Sequence, residues 1–249
     1  MSRQLFASRV EPELPHYATE LPRWRSLLAV GAHPDDESFG LGAILAVFGA
    51  NGTSRAVMSF TLGEASTLGA GERDLVIARA HELREAGRIL GVAFLKLLEY
   101  PDGTLADQAL SCLVEDVRRV ASAVKADGLL VFDTGGITGH PDHQRATEAA
   151  LTAAELLDLP VLAWAIPTEV ASRLNTIYDT GFAGRTYNEF DIGLRVDRTN
   201  QKRAIAKHGS QSTDNPVLWK RLELLGDHEW LRWLRPPVPS PTDIAGGAP

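Results

Sequence analysis

Short, unbroken apolar runs alternate along this chain with longer segments of helical periodicity, and that alternation leaves few folds open. Ser26 to Ala32 (SLLAVGA) is apolar at successive positions instead of every second one, the pattern of a strand buried on both faces. Ala56 to Leu62, Ala93 to Leu98, Gly128 to Phe132 and Val161 to Ala165 repeat it. Between them, Gly40 to Gly49 reads as a helix rich in small residues, and Glu72 to Leu90 as one with Val76, Ala80, Leu83 and Leu90 on a single stripe and Gly91 as its C-cap. Gln108 to Lys125 and Asp142 to Leu156 are also helical in pattern. Such alternation requires right-handed crossovers and a mostly parallel sheet, so the expected fold is α/β, a Rossmann-like three-layer α/β/α sandwich. Past Pro167 the periodicity weakens. Asp191 to Val196 reads as an added strand, and Asn200 to His208 and Val217 to Leu225 as covering helices. Residues 1–235 are expected to form one domain, and the Pro- and Gly-rich residues 236–249 a disordered tail.

A chain of 249 residues, 44% hydrophobic and 23% charged, can bury a large core without disulfides or a structural metal, so any metal it holds is expected to be functional. Its 32 acidic residues against 25 basic ones give a net charge of −7, which argues against nucleic acid and anionic membrane surfaces as partners and for a small-molecule substrate. Cys112 is the single cysteine; it cannot form an internal disulfide and, inside a helical pattern, reads as a small core residue. The first residues carry Pro, Glu and His where a secretory signal needs an apolar run, and no apolar stretch reaches the roughly 20 residues of a membrane span. The expected location is cytoplasmic, and a homo-oligomer is left open.

In a sheet of this kind ligands bind beyond the carboxyl ends of the strands, which brings the loops starting at His33, Gly63, Leu98 and Asp133 to one rim. The first loop reads His33-Pro34-Asp35-Asp36-Glu37 and the fourth contains Gly139-His140-Pro141-Asp142-His143. Three successive carboxylates would repel a dinucleotide pyrophosphate, whereas a cation neutralises them. Imidazole and carboxylate donors without thiolates suit a catalytic Zn²⁺ or Fe²⁺. Such a centre uses three protein ligands and needs a free base, so His33, Asp36 and His143 are read as the metal ligands and Asp35 as the base that takes a proton from water. His140 is left facing the substrate carbonyl as an imidazolium. The chemistry is metal-assisted hydrolysis of an amide.

These residues resemble the LmbE-like or PIG-L deacetylases, which include the mycothiol- and bacillithiol-pathway deacetylases and the GlcNAc-phosphatidylinositol de-N-acetylase. The resemblance rests on Ala32-His33-Pro34-Asp35-Asp36-Glu37 and Gly139-His140-Pro141-Asp142-His143. Looser support comes from Thr61-Leu62-Gly63-Glu64, from Arg79 to Arg84 with Leu90-Gly91-Val92, and from Lys202 to Gln211. It implies an LmbE-like fold and a zinc-dependent N-deacetylase acting on an N-acetylglucosaminyl compound, with His33, Asp36 and His143 as ligands and Asp35 as base. It also implies that Arg79 and Asp102 bind substrate through sugar hydroxyls. One departure stands out: a tyrosine that some members carry before the second motif, thought to polarise the carbonyl, is Thr138 here.

Other readings compete. An amidase acting on a related sugar conjugate would use the same groups. A non-haem Fe(II) oxygenase would also use two histidines and a carboxylate, but its motif belongs on a jelly-roll strand and not after a buried parallel one. A silent sugar-binding module is disfavoured by the intact Asp35 and His140. Arg79 is equally readable as an arginine that packs along its helix and reaches solvent, Asp102-Gly103 as a plain turn, and Glu37 and Asp142 as first-turn helix acids. His208 and Gln211 read either as lining the site or as ties between the last covering helix and the site, the second being preferred.

Overall fold

The first strand, β1 (Ser26–Gly31), sends Leu27 and Ala29 into one hydrophobic cluster and Leu28 and Val30 into another, which is why its apolar run is continuous. The computed structural model describes residues 17–69 and 74–238. After β1 follow α1 (Asp36–Phe39), α2 (Gly42–Ala50), β2 (Ser54–Thr61), α3 (Leu75–Ile89), β3 (Phe94–Tyr100), α4 (Leu110–Val124), β4 (Gly128–Phe132), α5 (Gly136–Gly139) and α6 (Pro141–Leu157). The chain continues through β5 (Val161–Pro167), α7 (Thr168–Tyr178), β6 (Gly184–Arg185), β7 (Ile192–Arg195), α8 (Thr199–Ile205), α9 (Gly209–Ser212), α10 (Pro216–Leu225) and β8 (His228–Arg235).

The strands lie in the order β3-β2-β1-β4-β5-β8-β7, with the short β6 beside β5. The first five pair in parallel, as the alternation requires, while β8 runs antiparallel between β5 and β7. Helices α4 and α6 cover one face, and α2, α3 and α8 the other. The Rossmann-like α/β sandwich is therefore realised. The chain leaves β1 toward β2 on one side and returns to β4 on the other, so the loops after β1 and β4 diverge at the centre of the sheet, where such folds bind ligands.

Several elements differ from the sequence reading. Helix α3 is capped by Asp74, whose side chain accepts the Ile77 N–H at 3.2 Å; its expected start at Glu72 lies outside the described residues. Its buried positions are Arg79, Leu83, Ala86 and Gly87, so an arginine occupies the stripe that Val76 and Ala80 were expected to lead. Cys112 is exposed on α4, not in the core. Helix α7 and strand β8 have no counterpart in the periodicity. β8 escapes notice because it buries Glu229, which accepts from Trp164 Nε1 at 2.6 Å and pairs with Arg198. No helix among the described residues is long and apolar enough to cross a membrane. Of the tail expected over 236–249, residues 239–249 lie outside the described residues, as does most of the amino-terminal segment.

Candidate active site

Beyond the carboxyl end of β1 the chain turns tightly enough for Asp36 to fold back on it. Asp36 Oδ2 accepts the N–H groups of Ala32 at 2.8 Å and His33 at 3.0 Å, which leaves Oδ1 beside His143 Nε2 at 3.1 Å. His33 Nδ1 lies 3.1 Å from that same His143 nitrogen. His143 Nδ1 is 3.2 Å from the Gly136 carbonyl; a carbonyl only accepts, so Nδ1 holds a proton and Nε2 is the nitrogen turned to the cluster, available as a ligand once it is deprotonated. One donor atom from each of His33, Asp36 and His143 thus falls within 4.8 Å of the others. Two imidazoles and a carboxylate in this arrangement fit a borderline cation with an open coordination position. The backbone beside the site is strained: Ile137, buried and β-branched, takes φ 65° and ψ −57°, a conformation costing on the order of 1–3 kcal/mol, and its carbonyl oxygen accepts the Ala183 N–H at 2.7 Å.

The second nitrogen of His33 is oriented from behind. His33 Nε2 lies 3.0 Å from Asp102 Oδ1 and 3.5 Å from Asp142 Oδ2. Burial disfavours a charged imidazole here, but hydrogen bonds to Asp102 and Asp142 and the charge of Asp36 outweigh it and hold the His33 pKa up at about 10. Burial likewise pushes the Asp36 carboxyl up, and the charges of His143 and His33 outweigh it and hold the group below the usual carboxylate range. Asp142 accepts the N–H groups of Leu105 at 3.0 Å and Gly103 at 2.8 Å, fastening the turn that carries Asp102. Those bonds occupy both of its oxygens, so the alternative grouping of His33, His140 and Asp142 is the poorer cation site.

Asp102, named above for a sugar hydroxyl, lines the pocket while its carboxylate spans His33 and the Ala65 N–H at 2.9 Å. Carboxylates behind a ligating histidine fix the ring and raise its basicity. Asp102→Asn is therefore expected to weaken metal binding by about 10- to 100-fold, read by competition against a chromogenic chelator.

Arg79 is 3% exposed, which excludes the solvent-reaching alternative. Its Nη1 donates to the Gly63 carbonyl at 2.6 Å and its Nη2 to Asp35 Oδ2 at 3.0 Å. A Cβ at Gly63, whose φ is +70°, would collide with that guanidinium. Asp35 Oδ1 has no hydrogen-bond partner among the described residues, and Asp35 lines the pocket. His140 caps α6: its Nδ1 accepts the Asp142 N–H at 3.2 Å, so a neutral ring carries its proton on Nε2. Burial, then the charges of His143 and His33, holds His140 below the ordinary histidine range. That direction favours a neutral N–H donor over the imidazolium expected from the sequence.

His208 is fully buried, with Nε2 2.8 Å from Glu37 Oε1, and so ties the segment before α9 to α1. His208→Ala would strand the buried Glu37 and is expected to cost about 3–5 kcal/mol of stability, measured by urea unfolding. Gln211 both lines the pocket and accepts from Ser66 Oγ at 2.7 Å.

The comparisons with known proteins follow the same pattern. The family model for PIG-L, GlcNAc-PI de-N-acetylase, matches residues 28–154. A 1D-myo-inositol 2-acetamido-2-deoxy-alpha-D-glucopyranoside deacetylase of Salinispora arenicola is 31% identical, over 81% of this chain and 80% of its own. The chain belongs to the PIG-L family. Among solved structures, the zinc inhibited form of teicoplanin deacetylase Orf2 shares the fold of this PIG-L protein with a TM-score of 0.63 at 19% identity, covering 84% of this chain and 97% of that one. The 4-carboxy-2-hydroxymuconate hydratase GalB of Pseudomonas putida KT2440 does so with a TM-score of 0.64 at 17% identity, covering 87% and 98%. A hydratase on the same fold means that the reaction must be argued from the site.

The pocket of this PIG-L chain has a volume of about 360 Å³. Its wall includes Phe39, Phe132, Trp164 and Arg221, none of which the motifs pointed to. Phe132 and Trp164 lie inside apolar strand runs and carry no signal of a site, and Arg221 lies on a helix far along the chain.

Proposed function

We propose that the protein is a Zn²⁺-dependent hydrolase that removes the N-acetyl group from an N-acetylglucosaminyl small molecule. The observation that carries the reading is the convergence of His33, Asp36 and His143 beside an Asp35 whose Oδ1 is free, in a family whose aligned relative is named as a deacetylase of such a compound. A Zn²⁺ or Fe²⁺ held by those three residues would supply Lewis acidity, making water more acidic and the amide carbonyl more electrophilic. Asp35 takes the proton from the attacking water through Oδ1, while Arg79 holds Oδ2 and so fixes the carboxylate plane. His140, as a neutral Nε2–H donor, stabilises the negative charge that grows on the carbonyl oxygen, the task left open by Thr138. Asp35 then returns its proton to the departing nitrogen, and acetate and a primary amine result.

The oxygenase reading is disfavoured because the donors sit where strands of a parallel sheet lead into helices, and not on a jelly-roll strand. The silent-module reading is disfavoured because Asp35 and His140 both line the pocket. The test is primary-amine release from a panel of N-acetylglucosaminyl compounds by protein carrying one equivalent of metal, with metal titrated in because a fold neighbour is described in a zinc inhibited form. Turnover of at least one member supports the reading; no release from any member by protein that holds its metal would overturn it.

A further inference from the structure

Three arginines are buried among the described residues, Arg79, Arg198 and Arg221, and two of them have a carboxylate: Arg79 pairs with Asp35 and Arg198 with Glu229. Arg221, 9% exposed, has none within 4.0 Å among the described residues. Its Nη2 donates to the Phe39 carbonyl at 2.7 Å, its Nε has no acceptor, and its Cζ lies 5.1 Å from the centroid of the Trp164 ring. Glu229 cannot serve it, since its two oxygens are taken by Arg198 and by Trp164 Nε1. Burial lowers the Arg221 pKa to about 10, which still leaves the guanidinium charged at neutral pH.

A buried, charged fork with spare donors is costly unless an anion completes it, and stacking on an indole offsets only part of that cost. Arg221 lines the same pocket as the histidine and aspartate cluster. An aromatic wall connects them: Trp164 stands 5.3 Å from Phe132, and Phe132 4.9 Å from His143, centroid to centroid. The pocket therefore carries charges of both signs. Asp35, Asp36 and Asp102 line it together with Arg221, whose guanidinium feels the charges of Asp36 and Asp35 but has neither within salt-bridge distance.

We propose that Arg221 anchors an anionic group of the substrate, a carboxylate or a phosphate, lying away from the amide that is cleaved. The inference rests on the deacetylase reading and narrows its substrate class to acidic N-acetylglucosaminyl compounds. A planar guanidinium takes either oxyanion through paired N–H donors, whereas an ammonium offers a point charge alone.

The experiment uses metal-loaded full-length protein and matched N-acetylglucosaminides: a carboxyalkyl glycoside, its methyl ester, and N-acetylglucosamine 6-phosphate beside N-acetylglucosamine. Wild type is expected to prefer an anionic member over its neutral partner by about 10- to 100-fold in kcat/KM, the range of one charge-assisted contact. That ratio should fall close to one in Arg221→Gln and recover only in part in Arg221→Lys. The carboxylate and phosphate arms identify which oxyanion fits. Equal kcat/KM for charged and neutral members in wild type overturns the proposal and leaves the deacetylase reading standing. Should no compound be turned over, binding decides: the deacetylated carboxyalkyl glucosaminide should raise the thermal midpoint of wild type more than its methyl ester does, and Arg221→Gln should erase the difference. Equal shifts overturn the proposal. Circular dichroism of both variants establishes that they are folded.

Discussion

Asp35→Asn is expected to keep its metal and to lose amine release by about 10²- to 10⁴-fold, the range that general-base catalysis contributes. The substitution preserves shape and the donor's place in the loop, but an amide cannot accept a proton from water at neutral pH. Because Asp35 also pairs with the buried Arg79 at 3.0 Å, the variant should lose stability as well, by roughly 1–3 kcal/mol. The two effects separate experimentally: metal content by atomic emission, turnover by amine release at a temperature well below the variant's own unfolding midpoint. Loss of the metal in place of turnover would mean that Asp35 is the ligand and Asp36 the base. The two N–H groups that hold Asp36 Oδ2 argue for the assignment made here.

The second large effect concerns metal affinity. His143→Ala should weaken binding by more than about a hundredfold, since groups merely behind a ligand already cost 10- to 100-fold. In the metal-free protein, Asp102, Asp142 and Asp36 hold a proton on His33 up to a pKa of about 10, and a metal must displace it. Metal affinity should therefore rise about tenfold for each pH unit through the neutral range and level off as pH nears that value. For the metal-free fold the sign is opposite. The raised pKa contributes stability that is fully present below the ordinary histidine pKa and is lost as pH rises toward about 10. Calorimetry in buffers of different ionisation enthalpy reads the released proton directly. Full metal occupancy in His143→Ala, or an affinity flat in pH, would remove this ligand set.

The motifs pointed to the histidine and aspartate cluster because its residues come in two short runs: Asp35 and Asp36 follow His33 directly, and His140 caps α6 while His143 lies in its first turn. Chemical type and spacing restrict what such a cluster does, and the continuous apolar strands restrict where a parallel sheet puts it. Arg79 shows the limit of that reasoning. Periodicity placed it at the edge of a stripe, while the fold buries it because the Gly63 carbonyl and Asp35 wait on the neighbouring loops. β8 shows another: a strand that buries Glu229 breaks the apolar pattern, and only its partners Arg198 and Trp164, distant in sequence, make that burial tolerable.

By itself the sequence determined an α/β sandwich, a rim at the carboxyl ends of its strands, and a two-histidine, aspartate-rich cluster on that rim. These follow from short-range periodicity and from the chemistry of adjacent side chains. Which imidazole nitrogen faces the cluster, that Asp102 and Asp142 stand behind His33, that burial pushes His140 toward its neutral form, and that Arg221 lines the pocket without a carboxylate partner were decided only in three dimensions. Hydrogen-bond partners and desolvation depend on groups brought together from many parts of the chain, and no local pattern encodes that sum.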